Sequence, residues 1–359
     1  MSRPLIRNCS VDRTLSIISD VWSFLVLREM YMGARRFDQF QEVLGLPRST
    51  LSDRLKRLAG GGVIARTQYM DAPARFEYRL TEKGQDLYLV MLSLLRFGDD
   101  WLSDGETRPL ELVHAPCRHA CRPLSVCSAC RQPVTALGVA FRDGPGAGRS
   151  SAPDLPQRRR SADEDQYERG RPSSVSRTLQ IIGDRWTFLV LREAFFGVRR
   201  FEAMQGHLGI APNILTDRLN RLVAKSILRR RKYQEQPERS EYILTGMGRA
   251  LYLPMIEMLR WGDRWVSGGA PLILTHRDCG QDFHSLIVCD HCREPLRPKD
   301  MRYRLNYQPP GSGNRRTPAL IPAEVEATRD GPSPVGADGT PATGEVDRRT
   351  ERRLSVKQY

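Results

Sequence analysis

The chain has 359 residues, with 56 Lys and Arg against 42 Asp and Glu and a formal charge of +14. The length predicts two or three domains, and the basic balance favours a polyanionic partner, nucleic acid ahead of a membrane surface. No signal peptide and no apolar run of about 18 residues is visible, so neither secretion nor a membrane-spanning helix is expected. Six of the eight cysteines (Cys117, Cys127, Cys130, Cys279, Cys289 and Cys292) stand in metal-type spacing, which fits a reducing compartment better than a disulfide scaffold.

In chain order, residues 11–18 read as a short helix and 21–31 as a nearly all-apolar one, ended by Gly33. Residues 37–43 read as a third, stopped at Gly45. Residues 48–59 read as a fourth, with Leu51, Leu55 and Leu58 on one face, and Gly60-Gly61-Gly62 ends it. The period then becomes two: Phe76, Tyr78 and Leu80 alternate with Arg75, Glu77 and Arg79. They predict the return strand of a hairpin opened at 63–69, with its turn at 71–74. Thr81 is placed to cap a last helix reaching about Leu102.

The pattern then recurs. Residues 10–58 align without a gap to 174–222, with 28 of 49 positions identical, so one fold has been duplicated and fused. The second copy has Tyr242 and Leu244 on the inner face of its hairpin, Thr245 as cap and a last helix to about Val266. The expected fold is mainly α with small β-hairpins (α+β). Two tandem winged helix-turn-helix domains, 9–106 and 173–270, are each followed by a small Cys-rich, zinc-ribbon-like segment, 110–135 and 272–304. The Gly-, Pro-, Ser- and Arg-rich stretch 136–172 predicts a flexible linker and 305–359 a disordered tail.

A third helix, a tight Gly turn, a fourth helix and a hairpin are the parts of a DNA reader. The fourth helix needs an apolar face to seat it and a polar face for the major groove, and the hairpin tip needs cations for phosphate. Candidate DNA contacts in copy one are Arg48, Ser49, Thr50, Ser52 and Arg54, with Arg75 near the hairpin tip. In copy two they are Asn213, Thr216 and Arg218, with Arg239, beside Pro212 and Ile214. A carboxylate beside phosphate would be repelled, so Asp53 and Asp217 are expected to orient a neighbouring Arg or cap structure.

After each last helix comes H-x2-C-x9-C-x2-C: His114, Cys117, Cys127 and Cys130, then His276, Cys279, Cys289 and Cys292. Each set supplies the four ligands of a closed, structural zinc site, and a segment of about 30 residues needs such a staple. A metal-free or redox pair and a decayed site remain open, and Cys121 could stand in for His114. No G-x-S-x-G, Walker loop, G-x-G-x-x-G or H-E-x-x-H is present, so no catalytic role is expected.

The runs R-T-L-x-I-I-x-D-x-W-x-F-L-V-L-R-E, G-x-R-R-F and L-x-D-R-L-x-R-L resemble the HxlR-type winged helix transcription regulators, over about 10–105 and 174–268. The resemblance implies a bacterial cytoplasmic, nucleoid-associated protein that binds double-stranded operator DNA as a dimer built from first and last helices. Apolar stripes on the last helices fit this: Leu87, Val90, Met91, Leu94 and Trp101, then Leu251, Met255, Met258, Leu259 and Trp265. It also makes Cys9, just before the first helix and with Ser173 as its counterpart, a candidate redox sensor, a plain structural thiol being the other reading. Two copies in one chain suggest an intramolecular pseudo-dimer reading unequal half-sites. A linker of about 40 residues reaches roughly 35 Å, near the ~34 Å between half-sites. A homodimer and a protein-binding adaptor in which only copy one reads DNA are the other readings.

Overall fold

The computed structural model describes residues 5–307 apart from 19, 72–73, 104–107, 152–171 and 237. Copy one begins with β1 (Leu5–Arg7) and helices α1 (Ser10–Ile18), α2 (Val21–Tyr31), α3 (Phe37–Leu44) and α4 (Arg48–Gly60). The hairpin β2 (Ile64–Met70) and β3 (Arg75–Leu80) and helices α5 (Glu82–Asp86) and α6 (Tyr88–Trp101) complete it. Copy two repeats this as α7 (Ser174–Ile182), α8 (Arg185–Phe195), α9 (Phe201–Leu208), α10 (Pro212–Ala224), β9 (Leu228–Gln234), β10 (Arg239–Leu244), α11 (Gly246–Ala250) and α12 (Tyr252–Trp265).

Local chemistry explains the boundaries. Asp20 starts α2 by accepting from the Ser23 amide at 3.0 Å, and Asp184 does the same for α8 from Trp186 at 3.0 Å. Residues 21–30 of α2 are buried all round, as its unbroken apolar run requires. Gly45 and Gly209 close α3 and α9 at φ of 61° and 59°, a left-handed turn that suits glycine. The single last helix expected after Thr81 is two pieces, α5 and α6. Thr81 caps α5 through the Gly84 amide at 3.1 Å. Gly84 lies so close to the Val63 carbonyl that a Cβ would sit 2.1 Å from its oxygen. That approach fixes α5 against the hairpin and turns the chain at Leu87.

The two copies share one apolar core that runs through α1, α2, α4, α6, α7, α8, α10 and α12. The first helix of each copy packs on the last helix of the other: α1 on α12 and α7 on α6. Thr14 donates to the Met258 carbonyl at 2.8 Å and Thr178 to the Leu94 carbonyl at 2.9 Å, related by the internal symmetry. Ser10 reaches Asp263 and Ser174 reaches Asp99 in the same paired way. Gly98 and Gly262 permit this approach, since a Cβ would lie 2.2 Å from the Ser174 oxygen and 2.3 Å from the Ser10 oxygen. Gly98→Val and Gly262→Val are each expected to cost about 1–3 kcal/mol in overpacking. Gly206→Ala, in open space on α9, should be neutral or stabilising. Urea unfolding midpoints check the contrast.

Other interactions belong to one side only. Arg185 grips Asp12 with two bonds of 2.5 and 2.8 Å, and Arg260 holds Asp86 at 3.0 Å across the copies. Burial raises the affinity of Glu257, Asp99 and Asp263 for a proton above the ordinary carboxyl value. A raised folded pKa gives stability that is complete below the unfolded value and lost as pH rises through the folded one. Wild type should therefore lose stability relative to Glu257→Gln as pH climbs from about 4 towards neutrality. A flat difference across a urea-unfolding pH series would contradict that.

The remaining strands interleave the copies. Copy one continues as β4 (Leu110–His114), β5 (His119–Ala120), β6 (Pro123–Cys127), β7 (Val139–Asp143) and β8 (Arg149–Ser151). Copy two continues as β11 (Leu272–His276), β12 (Asp282–Phe283), β13 (Ser285–Cys289) and β14 (Met301–Leu305), after a 3-10 turn at Pro298–Asp300. The sheets are β14-β4-β5, β12-β11-β7 and β13-β6, all antiparallel, and β1 pairs with β8. Residues 139–143 and 149–151, expected within a flexible linker, are thus strands. Composition marks them as loop, but β11 and β1 satisfy their backbone groups. Leu305, assigned to the tail, ends β14, while 308–359 lie outside the described residues. Among the described residues no helix is long and apolar enough to cross a membrane.

Candidate nucleic-acid interface and metal centres

Leu51, Leu55 and Leu58 seat α4, and Leu215, Leu219 and Leu222 seat α10. On the outer face Arg48 and Ser49 are exposed, with Thr50 and Ser52 half-buried. Arg48 lies over the Phe37 ring, 5.1 Å from its centroid, and bonds Gln41 at 3.3 Å. In copy two Asn213 and Thr216 are exposed, and Pro212 opens α10 at its first turn. Arg75 and Arg239 are exposed at the starts of the return strands β3 and β10.

Arg54 is not on this face. Its side chain is 6% exposed, and its Nε lies 2.7 Å from Asp20, with Asp53 on its other nitrogen. Arg218 repeats the arrangement with Asp184 at 3.0 Å and with Asp217, although its side chain is 18% exposed. The D-R pair therefore ties α4 to the N-terminal cap of α2, and α10 to that of α8. Helical spacing places Arg54 outward, but a long side chain on the flank can fold back to a buried carboxylate.

Several cations are not singled out by helical spacing. Lys56 is exposed on α4 and Arg66 on β2, where Arg66 stacks 3.5 Å from the Phe76 ring centroid. In β9 the run Arg229-Arg230-Arg231-Lys232 is exposed throughout. Arg231 bonds Glu241 at 2.7 Å, Lys232 pairs with Glu238 at 2.8 Å, and Arg230 bonds Asn220 at 3.1 Å. Basic residues on the opening strand of a two-stranded hairpin are the signal that could have found them. The G-x-R-R-F element braces each wing: the backbones of Arg36 and Arg200 form single antiparallel β-bridges with Glu77 and Glu241, and their guanidinium groups lie over the Tyr69 and Tyr233 rings at 4.9 and 4.7 Å.

The eight predicted ligands form two clusters, and each draws on both copies. One joins His114 and Cys117 to Cys289 and Cys292; the other joins Cys127 and Cys130 to His276 and Cys279. The expected sets, each drawn from one copy, are corrected accordingly. The spacing is identical in both copies, so sequence could not tell within-copy from between-copy partners; strand exchange decides it. In the first cluster His114 Nδ1 is 3.4 Å from Cys117 Sγ and 3.3 Å from Cys292 Sγ, and the Cys117 and Cys289 sulfurs are 3.9 Å apart. In the second, His276 Nδ1 is 3.3 Å from Cys130 Sγ and 3.6 Å from Cys279 Sγ, and the Cys127 and Cys279 sulfurs are 4.0 Å apart.

Each of the four knuckles is the same turn. The amide after the second ligand donates to the carbonyl of the first: Arg118 to His114 at 2.8 Å, Arg131 to Cys127 at 3.0 Å, Gly280 to His276 at 2.8 Å and Arg293 to Cys289 at 3.0 Å. All four donors are left-handed, with φ of 61–68°, and three are arginine, for which that conformation costs roughly 1–2 kcal/mol. The clusters can hold a metal ion. His114 completes the first set, and Cys121 lies beside Cys289 and Asp290 instead, where burial pushes its thiol up. Cys9 is 7% exposed, against Arg192 of the other copy, so an oxidant reaches it only after local opening.

A family model described as HxlR-like helix-turn-helix matches residues 17–106 and 181–269. An uncharacterised HTH-type transcriptional regulator of Mycobacterium tuberculosis is 41% identical over 137 residues, covering 38% of this chain and 87% of the relative. That alignment is longer than either matched region. An uncharacterised HTH-type transcriptional regulator of Synechocystis is 37% identical over 95 residues, 26% of this chain and 70% of its own. The solved reduced form of the transcriptional regulator YodB from Bacillus subtilis is 28% identical over 26% of this chain and 94% of that chain, with a TM-score of 0.24. At that score the structural likeness adds nothing to the fold assignment.

Proposed function

The chain belongs to the HxlR-like helix-turn-helix family of DNA-binding transcriptional regulators, and on that premise we propose that its two copies act as one intramolecular pseudo-dimer on a single DNA site. The observation that carries this is the reciprocal packing of α1 on α12 and α7 on α6, which uses the first and last helices of each copy against the other. The reading helices differ, with Pro212 and Ile214 in α10 at the positions of Arg48 and Thr50 in α4, so the half-sites are unequal. The basic strand β9 favours DNA binding by copy two as well, since cations on a wing reach phosphate. The protein works on the nucleoid, in the bacterial cytoplasm.

Sequences selected from random DNA, followed by sedimentation on a minimal duplex, test the proposal. One chain per duplex is expected, and a requirement for two chains would reject the pseudo-dimer in favour of a homodimer. With 6–10 phosphate contacts, affinity should fall roughly 10³–10⁵-fold between 50 and 200 mM salt.

The Cys/His clusters are read as two structural zinc sites. Three thiolates and one imidazole fill a tetrahedral shell and leave no open position for chemistry. Sulfur at about 2.3 Å and nitrogen at about 2.0–2.1 Å from zinc imply edges of about 3.8 Å between sulfurs and about 3.6 Å between sulfur and nitrogen. The separations of 3.9 and 4.0 Å, and of 3.3 to 3.6 Å, fit those edges.

A further inference from the structure

We infer that the two zinc centres are cross-braces, each stapling a strand of one copy (β14 or β7) onto the other copy's DNA-reading head, so that zinc couples the two heads; this rests on the zinc and DNA readings above. Each centre takes its H-x2-C pair from one copy and its C-x2-C pair from the other. A metal bound there is a crosslink between copies and not a clip within one.

The strands around each centre show what the crosslink holds. β14, from copy two, pairs with β4 of copy one from Met301↔His114 to Leu305↔Leu110. β7, from copy one, pairs with β11 of copy two from Val139↔His276 to Asp143↔Leu272. Each exchanged strand then touches the other copy's head. Tyr303 of β14 donates its hydroxyl to the Met32 carbonyl, at the end of α2, at 2.9 Å. Phe141 of β7 stacks edge-on against Phe196, which caps α8, with centroids 5.0 Å apart. Tyr303 and Phe141 occupy corresponding places in the two halves.

Each lobe also rests on a last helix. Cys289, Ile287, Met301 and Tyr303 pack with Tyr88 and Leu92 of α6, and Cys127, Val134 and Val139 pack with Ile256 of α12. Since α2 and α8 pack on α4 and α10, a short path from metal to reading helix runs through one exchanged strand and one buried helix. Besides the metal, each of these five-residue strands is held by one partner strand and by one face of a last helix. Losing zinc is therefore expected to free β14 and β7, and with them the ends of α2 and α8, while the shared apolar core keeps the copies together.

Ligand substitution in pairs tests the topology. Full-length protein is purified without oxygen, washed over a chelating resin and assayed for zinc. Wild type should carry two ions per chain. Cys117→Ser with Cys292→Ser removes ligands from one centre and should leave one ion. Cys117→Ser with Cys130→Ser strikes both centres and should leave none. The reverse order, none and then one, would overturn the cross-copy assignment, and wild type without zinc would sink the zinc reading and the brace together.

Coupling is read on DNA. Two linked heads gain roughly 10²–10⁴-fold over one, so both variants should bind a selected two-half-site duplex at least about tenfold more weakly than wild type. Binding to a single-half-site duplex should change less than about twofold. Unchanged two-site affinity after zinc loss, or equal loss on the half-site duplex, refutes coupling. Wild type that holds two zinc ions but binds no duplex fails the regulator reading alone. Zinc withdrawn from wild type by chelator and then restored repeats the comparison without any substitution, so a variant that fails to fold leaves the answer intact.

Discussion

Arg260→Ala is expected to destabilise the protein by about 3–5 kcal/mol, the cost of removing one partner from a buried ion pair. The guanidinium is 13% exposed and serves two carboxylates, Asp86 of copy one and Glu257 of its own helix, which are 14% and 0% exposed. Alanine leaves both without their main counter-charge. Trp265 still donates to Asp86 at 2.7 Å, so Glu257 suffers most. Burial already raises the Glu257 carboxyl's affinity for a proton, and without Arg260 it rises further. The loss should therefore shrink towards pH 4, where the carboxyl is neutral. Urea unfolding at pH 7.5 and pH 4.5 checks both halves of the statement, and an equal loss at the two pH values would show that the pair is not what holds this side of the interface. Because the ion pair joins the copies, the variant should also weaken binding to the two-half-site duplex more than to a single half-site.

Arg54→Ala and Arg48→Ala should separate by kind of defect. Both arginines lie on the reading helix, and the periodicity of the sequence gives both to DNA. Arg54 is buried and bound to Asp20, the residue that caps α2, so its loss should again cost about 3–5 kcal/mol of stability. Arg48 is exposed at the first turn of α4. Its loss should leave the unfolding midpoint nearly unchanged. If Arg48 reads a base edge, alanine costs about 1–3 kcal/mol in DNA binding and relaxes one position of the site. If it holds a phosphate, alanine weakens binding to all sequences alike and lowers the salt slope by about one. Unfolding and binding measured on the same two preparations decide the matter. A stable Arg54→Ala protein that has lost DNA binding would return Arg54 to the interface.

The readable part of the site is the part set by local rules. Leucine spacing gives the seated faces of α4 and α10, the glycine turns give the ends of α3 and α9, and alternation gives the wings. The exposure of Arg48, Ser49, Asn213 and Thr216 is legible because a polar residue opposite a leucine stripe points to solvent. That of Arg54 and Arg218 is not, because their long side chains turn back along the helix to a carboxylate 34 residues away in each copy. The basic run in β9 is hard to see because charge in a strand carries no period of its own.

The sequence alone determined that there are two copies of one fold, which helices are candidates to read DNA and which eight side chains are candidates to hold metal, because each follows from residue type at short spacing. Which copy pairs with which was beyond it. Two copies with the same H-x2-C and C-x2-C spacing offer equivalent partners, and the same ambiguity covers strands 139–143 and 301–305. Only the tertiary structure breaks it. Packing α1 on α12 and α7 on α6 sets the two Cys/His segments side by side, and each unpaired strand edge then takes its hydrogen bonds from the other copy.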